Sequence, residues 1–227
     1  MSVIYLIRHA QASFGRSDYD RLSPQGERQA VLLGKALAAR GLKPELVVSG
    51  AMQRHTRTAK IALEAAGIDA EVAVDEGFNE FDHDQLIVAH KPAYKRRAVL
   101  VADLARTGHP ARAFQEMFTE ATGRWVRSDG DGYTESFAAF CQRSEDAVRR
   151  TAGRLDKGET AVVFTSGGPI AAVVGRLFAG NNELWLRLNP VTINTGITKL
   201  VSGRSGLTAV SFNDHGHLDG TDLLTYR

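Results

Sequence analysis

Cysteine, net charge and long apolar runs are all scarce in this chain of 227 residues, and each shortage excludes a class of protein. The single cysteine, Cys141, excludes an intramolecular disulfide and a cysteine metal cluster, and it favours a reducing compartment. With 28 basic and 26 acidic residues the net charge is +2, too small for the overall field that non-specific nucleic-acid binding needs. We therefore expect no nucleic-acid partner.

Apolar segments are too short for a membrane protein. No stretch approaches 18 consecutive apolar residues, and the N-terminus lacks the apolar region of a signal peptide. We expect no membrane partner and a cytoplasmic location. The hydrophobic fraction of 43% and the charged fraction of 24% are ordinary for a globular protein, and the length fits one α/β domain with or without an insertion.

The first apolar run, residues 3–7, ends in Arg8 and His9. Its unbroken aliphatic and β-branched composition indicates a strand buried on both faces, which is typical of the centre of a parallel sheet. Ligands of open α/β sheets bind at the carboxyl ends of such strands. Arg8 and His9 are therefore candidate site residues, with the alternative that they only begin a polar loop.

Strand and helix patterns alternate along most of the chain. Strands are predicted at 46–48, 72–74, 161–164, 197–201 and 208–212, and helices at 24 to about 41, 51–66, 135–155 and 170–179. Ser23 is the predicted N-cap of the first helix, with Pro24 at its first position. Between residues 83 and 127 the alternation lapses and the chain becomes mixed and basic, so we interpret this segment as an inserted cap with helices at 97–106 and 111–122.

Three predicted strands end in residues that suit an anion. Arg8 and His9 follow the first strand, Arg54 lies in the first turn of the helix after the second, and Ser166 precedes two glycines after the fourth. Guanidinium groups bind phosphate bidentately and keep their charge, and the start of a helix adds backbone N–H donors. His9 is the one residue in this group that can act as a nucleophile at neutral pH.

Four sequence motifs give these residues a family resemblance. Residues 6–11 match L-x-R-H-G-[EQ] except at residue 10, residues 22–30 match L-[ST]-x-x-G-x-x-Q-A, residues 49–59 match S-x-x-x-x-R-x-x-x-T-A, and residues 78–80 are similar to L-x-E. In this order and spacing they resemble the histidine phosphatase superfamily, the phosphoglycerate-mutase-like group. The resemblance implies a three-layer α/β/α sandwich with a mostly parallel central sheet, a single domain over 1–227 with a helical cap inserted at about 83–130.

The resemblance also implies roles for individual residues. His9 would be phosphorylated, Arg8 and Arg54 would bind the phosphoryl group, and Glu80 would protonate the leaving oxygen; the alternative for Glu80 is a solvated acid in an acidic stretch. The implied activity is a metal-independent phosphomonoester hydrolase with no cofactor and a small phosphorylated substrate. The seven histidines include no i, i+4 pair and predict no metal site.

The chain departs from the family pattern at Ser166, where the family has a second pocket histidine. A serine hydroxyl still donates to a phosphate oxygen, and the N–H of Gly167 lies at a helix start, but a charge is lost. Two alternatives to the hydrolase therefore stay open: a catalytically weak protein that binds a phosphorylated ligand or partner, and a phosphoglycerate-type mutase. Ala10 replaces a family glycine, which predicts that this position needs no positive φ.

Several further polar residues lie near the predicted site or in the predicted cap. His55 follows Arg54 but is predicted to point to another face of its helix, and His217 is predicted to be a packing and hydrogen-bonding residue. Gln11 and Ser13 either line the substrate side of the pocket or belong to the loop alone. The basic cap residues Lys91, Lys95, Arg96 and Arg97 either form a lip for an anionic substrate or a solvated face. The sequence leaves the oligomeric state open, with a homodimer as one alternative.

Overall fold

A computed structural model describes residues 1–13, 20–178 and 181–226. Six strands in this part of the chain form one sheet: β1 (Ser2–Arg8), β2 (Leu46–Ser49), β3 (Val72–Val74), β4 (Thr160–Thr165), β5 (Ile197–Gly203) and β6 (Gly206–Asp214). Eight helices are described: α1 (Pro24–Ala39), α2 (Gln53–Ala66), α3 (His83–His90), α4 (Arg97–Arg106), α5 (Pro110–Arg127), α6 (Phe137–Gly153), α7 (Gly167–Phe178) and α8 (Glu183–Leu188).

The strands follow the order β3-β2-β4-β1-β5-β6 across the sheet. β1, β2, β3 and β4 pair in parallel, whereas β5 is antiparallel to β1 and β6 is antiparallel to β5. The predicted mostly parallel sheet with a terminal hairpin is confirmed. The register places Arg8 opposite Thr165 and Ser49 opposite Phe164, so that β1, β2 and β4 end side by side.

Helices cover both faces of this sheet. On one face, apolar residues of α1 and α2 pack against β1, β2 and β4 around Ile7, Val47 and Val162. On the other face, residues of α6 and α7 pack around Leu6 and Val163. The result is the predicted three-layer α/β/α arrangement, and it explains why the central strands are apolar on both sides.

Local sequence signals fix the helix that follows β1. The hydroxyl of Ser23 accepts from the N–H of Gly26 at 3.0 Å, and Pro24 occupies the first position, so the predicted N-cap of α1 is confirmed. The helix ends where Gly41 adopts φ 62°, a left-handed conformation that favours glycine.

The helix after β4 begins earlier than its sequence predicts. α7 starts at Gly167 rather than Ile170 because Pro169 lies in its first turn, where a missing N–H breaks no helical hydrogen bond. This start places the backbone N–H groups of Gly167 and Gly168 directly after Ser166, at the carboxyl end of β4.

Contacts divide the chain into two compact units. The first, which we call the sheet unit, contains Met1–Glu80 and Arg143–Arg227, and the second contains Phe81–Gln142. The core of the second unit is aromatic: the ring of Trp125 lies 4.9 Å from that of Phe81 and 5.0 Å from that of Phe137, and its Nε1 donates to the carbonyl of Glu135 at 2.9 Å.

Two helices of the second unit differ from their prediction. α3 occupies residues that the sequence left unassigned, and α5 extends from Pro110 to Arg127 instead of covering 111–122. The range 83–130, predicted as a cap, lies inside this unit. None of the described helices has the length and apolar character needed to cross a membrane.

Candidate active site

The candidate site lies in the sheet unit, where β1 and β4 end next to each other. The N–H of His9 donates to the carbonyl of Thr165 at 2.8 Å, and the N–H of Gly50, directly after β2, donates to Phe164 at 3.0 Å. Because parallel strands end at one edge of a sheet, the residues after β1, β2 and β4 gather there. The structure thus brings together the strand ends that the sequence singled out.

The ring of His9 is buried and fixed in one tautomer. Its side chain is 6% exposed, and Nδ1 lies 2.7 Å from the carbonyl oxygen of Ala10. A carbonyl only accepts, so Nδ1 carries the proton and Nε2 carries the lone pair. Burial, followed by the positive charges of Arg54 and Arg8, holds the pKa of His9 well below its usual value of 6.5. The ring is therefore neutral at physiological pH.

Both arginines predicted for the site have polar partners within the sheet unit. Arg54 lies in the first turn of α2, is 4% exposed and pairs with Asp20, with 2.8 Å between Nη1 and Oδ1. Arg8 ends β1, and its Nη1 donates to the carbonyl of Thr192 and, at 2.8 Å, to that of Tyr226. Both guanidinium groups contribute positive charge at His9, which is the electrostatic condition for binding an anion there.

Glu80 reaches the start of α7. Its Oε2 accepts from the N–H of Gly168 at 3.2 Å, one residue after Gly167 and two after Ser166. The segment before it is tied to the end of β4, since the hydroxyl of Thr165 donates to the carbonyl of Phe78 at 2.6 Å. The predicted acid is thus anchored beside the end of β4, with its carboxylate at the positive end of a helix.

The structure corrects the prediction for His55. The ring does not point away from the site: it is fully buried, its Nε2 lies 2.6 Å from Oγ of Ser166, and its centroid lies 5.6 Å from that of His9. The physical reason is that α2 begins at Gln53, close to the edge of the sheet, so that two successive residues of its first turn both reach the strand ends. Burial and the charge of Arg54 lower the pKa of His55 well below 6.5, so this ring is also neutral.

Ser166 and Gly167 follow β4 directly. Ser166 is fully buried, and His55 Nε2 is its side-chain partner. A Cβ on Gly167 would lie 3.1 Å from Oδ1 of Asn189 and 3.5 Å from Nε of Arg8, so a larger residue there would crowd the arginine. Ala10, the other departure from the family motif, has no positive φ, as its sequence predicts.

Gln11 and Ser13 take part in the loop that follows β1. The N–H of Gln11 donates to Oε1 of Gln29 at 2.8 Å, its own Oε1 accepts from Ser23 at 2.8 Å, and Ser13 Oγ donates to the carbonyl of Leu22 at 3.3 Å. These bonds hold the loop against the start of α1. Contact of either side chain with a substrate stays a prediction.

Several residues without a predicted role support the main chain around His9. The hydroxyl of Thr58 accepts from the N–H of Ala10 at 3.0 Å and donates to the carbonyl of Arg54 at 2.6 Å, which links the two predicted site segments. Asn194 Nδ2 donates to the carbonyl of His9 at 3.1 Å. Thr58 belongs to a quoted motif and could have been found from it, whereas nothing in the sequence marked Asn194.

Thr195 adopts an unusual conformation next to the site. Its φ is 61°, a left-handed value that β-branched residues rarely adopt, and its N–H donates to the carbonyl of Arg8 at 3.1 Å. The hydroxyl lies 2.9 Å from Nε2 of His217, so the predicted hydrogen-bonding role of His217 is confirmed. The strained residue therefore fastens the end of β1 to the following strands. Within the described ranges, no group of three or more His, Cys, Asp or Glu side chains is placed to hold a metal ion.

Comparison with known proteins identifies the family of this chain. A family model described as "Histidine phosphatase superfamily (branch 1)" matches residues 4–97 and 103–215. The mitochondrial serine/threonine-protein phosphatase PGAM5 of Xenopus tropicalis is 43% identical over 187 residues, which are 82% of this chain and 55% of that protein. The chain spans between 30% and 62% of the length of the curated relatives it matches.

Solved structures share the fold. A phosphoserine phosphatase mutant of Entamoeba histolytica in complex with phosphoserine superposes with a TM-score of 0.64 at 19% identity, covering 96% of this chain and 100% of the other. A phosphoglycerate mutase of Bacillus anthracis gives 0.66 at 16% identity, covering 96% and 95%. At these identities the likeness establishes the fold alone.

Proposed function

Because this chain belongs to the histidine phosphatase superfamily, we propose that it is a phosphomonoester hydrolase that works through a phosphohistidine at His9. The observation that carries the proposal is the 2.7 Å hydrogen bond between Nδ1 of His9 and the carbonyl of Ala10. It leaves the lone pair on Nε2, and a neutral imidazole nitrogen is the nucleophile that phosphoryl transfer to histidine requires.

In the first step, Nε2 of His9 attacks the phosphorus of a bound monoester and the ester P–O bond breaks. Negative charge spreads over the equatorial oxygens of the transferring group, where Arg8 and Arg54 stabilise it electrostatically. Glu80, in its protonated form, gives its proton to the leaving oxygen. The products of this step are a free alcohol, a phosphohistidine and the Glu80 carboxylate.

In the second step, the Glu80 carboxylate takes a proton from water while the water oxygen attacks the phosphorus. The P–N bond breaks, inorganic phosphate leaves and His9 returns to its neutral form. The hydrogen bond from the N–H of Gly168 to Oε2 of Glu80 fixes the orientation of the carboxyl group, which both roles require.

For the substrate, we propose a phosphorylated aliphatic hydroxyl group of the phosphoserine type. The names of two matched proteins, a serine/threonine-protein phosphatase and a phosphatase in complex with phosphoserine, support this class. We treat residues 83–130 as a cap insertion within one family domain. The cytoplasmic location stays a prediction from the sequence, based on the lone Cys141 and on the short apolar segments.

Trapping of the labelled enzyme tests the reaction. Wild-type protein is mixed with phosphate-labelled p-nitrophenyl phosphate, quenched with base and digested, and we expect an acid-labile label on the peptide that contains His9. His9→Ala removes both the label and turnover. His109→Ala is the control, because it changes an exposed histidine between α4 and α5. We expect this variant to keep both the label and turnover. Equal hydrolysis by wild type and His9→Ala contradicts the proposal.

A second candidate is a weak enzyme whose main role is binding a phosphorylated ligand. The ion pair between Arg54 and Asp20 favours it, because a carboxylate already accompanies the arginine at the site, and Ser166 supplies no charge. This candidate predicts stabilisation by phosphoserine without any label. A mutase, in turn, would pass the label from His9 to a hydroxyl of a bound product instead of to water.

A further inference from the structure

The buried pair of His55 and Ser166 has no place in the reaction described so far. Both side chains are fully buried, and 2.6 Å separates Nε2 from Oγ. The His55 ring lies 5.6 Å from that of the proposed nucleophile, His9, between centroids. The serine that replaces the expected pocket histidine is thus accompanied by an imidazole that comes from a different element, α2.

Gly50 gives the His55 ring its place. A Cβ at Gly50 would overlap with Nδ1 of His55, and it would lie 2.9 Å from Cε1 and 3.0 Å from Oδ1 of Asn79. The ring therefore packs directly against the main chain after β2, in space that any other residue at position 50 would fill. Its orientation is determined by this contact and by Ser166.

The protons of the pair follow from their partners. A neutral imidazole has one N–H, and Nδ1 of His55 has no hydrogen-bond partner among the described residues. A buried N–H without an acceptor is costlier and rarer than a buried lone pair without a donor, which favours the tautomer with its proton on Nε2. In that tautomer His55 donates to Ser166, whose hydroxyl proton must then point elsewhere.

We propose that His55 is a positioning residue that turns the hydroxyl of Ser166 into a hydrogen-bond donor for the phosphoryl group on its way to His9. The inference rests on the proposed phosphohistidine reaction. Ser166 has a single hydroxyl proton, and a freely rotating hydroxyl donates it in several directions. Once the oxygen accepts from His55, the proton is available to the pocket, and a donor fixed in advance stabilises the transition state without reorganisation.

The first test determines the tautomer of His55 by NMR. It does not require a measurement of enzyme activity. In the full chain labelled with ¹⁵N-histidine, long-range ¹H–¹⁵N correlations distinguish a ring protonated on Nε2 from one protonated on Nδ1. The signals of His55 are assigned as those that disappear in His55→Gln. We expect the Nε2–H form, and a Nδ1–H form overturns the proposal.

Two substitutions of His55 provide a matched pair for kinetics. In His55→Gln the amide nitrogen reaches the position of Nε2 and still donates to Ser166, whereas in His55→Asn it reaches only the position of Nδ1. We expect kcat to fall by roughly 100-fold in His55→Asn and in Ser166→Ala, the usual effect of losing one transition-state donor, with KM little changed. His55→Gln should recover most of the loss.

The double variants separate positioning from packing. In a Ser166→Ala background the difference between Gln and Asn at position 55 should vanish, since the hydroxyl they act on is gone. A difference that persists, or equal loss in both single variants, contradicts the proposal. If the wild type forms no label at His9, the proposed function fails and this inference with it; if the label forms and Gln does not rescue, the positioning role alone fails. Should His55→Asn not fold, the tautomer decides.

Discussion

The two compact units of this chain keep their polar side chains in opposite places. In the sheet unit many polar side chains are buried, among them His9, Arg54, His55, Ser166 and Asn194. In the second unit, which the structure describes throughout, the buried residues are almost all apolar, and no residue of α4 is buried.

Burial of polar groups costs free energy unless each is hydrogen-bonded, so a unit that keeps them inside does so at a site where they are paired. In the sheet unit the pairs are specific: Arg54 with Asp20, His55 with Ser166, His9 with a carbonyl. Ion pairs at the surface, such as Lys91 with Asp103 in the second unit and Arg57 with Glu27 in the sheet unit, contribute little to stability. The buried polar pairs therefore distinguish the sheet unit, and we expect substitutions of these pairs to affect activity more than substitutions on the surface of the second unit.

After the loss of turnover expected for His9→Ala, the largest expected effect comes from the buried arginine of the sheet unit. Arg54→Ala should lower kcat for p-nitrophenyl phosphate by about 1,000-fold or more, because a guanidinium that stabilises a transferring phosphoryl group contributes on that scale. Arg54→Lys should recover only part of this, since an ammonium lacks the planar fork. Steady-state kinetics measures both.

Arg57 is the matched control, one turn along α2. Its guanidinium pairs with Glu27 at 2.8 Å, and its side chain is 48% exposed. Arg57→Ala should change kcat by no more than about twofold, as expected for an exposed ion pair. Similar losses in the two variants would mean that α2 is damaged as a whole and that burial of Arg54 carries no special meaning.

Acid should destabilise the sheet unit through its two buried imidazoles. His9 and His55 have lowered pKa values in the folded state, so the unfolded chain takes up their protons first as the pH falls below about 6.5. Their contribution to stability is complete above that pH and is lost below it, at up to about 1.4 kcal/mol per pH unit for each ring. Urea unfolding between pH 7 and pH 5 measures the slope.

His55→Gln removes one of these titrations without removing a donor to Ser166. The slope of the unfolding free energy against pH should therefore be smaller than in wild type by roughly 1.4 kcal/mol per pH unit, which corresponds to one proton fewer taken up on unfolding. Hydrogen exchange resolved by segment should place the acid sensitivity in residues of the sheet unit. An unchanged slope would show that His55 is protonated equally in both states.

The fold was predictable from the sequence because its signals are local. Apolar runs without alternation identify β1 and β4, and Ser23 with Pro24 identifies the start of α1. The gathering of Arg8, His9 and Arg54 followed as well, because parallel strands end at a common edge. In the second unit periodicity was weak, so α3 was missed.

The hydrogen bonds inside the site were not predictable from the sequence. The orientation of His55 depends on where α2 begins and on the open space beside Gly50, and neither has a signature in the residues around it. Asn194 and Thr195 donate to the carbonyls of His9 and Arg8, at the end of β1, across about 185 residues of sequence. Such contacts arise from tertiary packing, which overrides local patterns.

The basic face of the second unit is expected to have the smallest effect of all. Lys91, one of its predicted lip residues, is bonded to Asp103 at 2.6 Å within the unit. Lys95, Arg96 and Arg97 are exposed. Replacing these last three with Gln should raise KM for phosphoserine by no more than about fivefold and leave kcat unchanged, since exposed charges contribute about 1 kcal/mol or less.

Salt and a matched variant distinguish a substrate lip from a solvated face. A lip attracts the anion at a distance, so its KM effect should shrink as ionic strength rises to about 0.5 M and the Debye length falls below the separation of exposed charges. Lys35→Gln with Lys43→Gln, which neutralises exposed lysines of the sheet unit, supplies the comparison. If both sets of substitutions leave KM unaltered at low salt, the basic residues of the second unit form only a solvated surface. The exposed charges of that unit would then contribute to neither substrate binding nor the reaction, in contrast to the buried polar residues of the sheet unit.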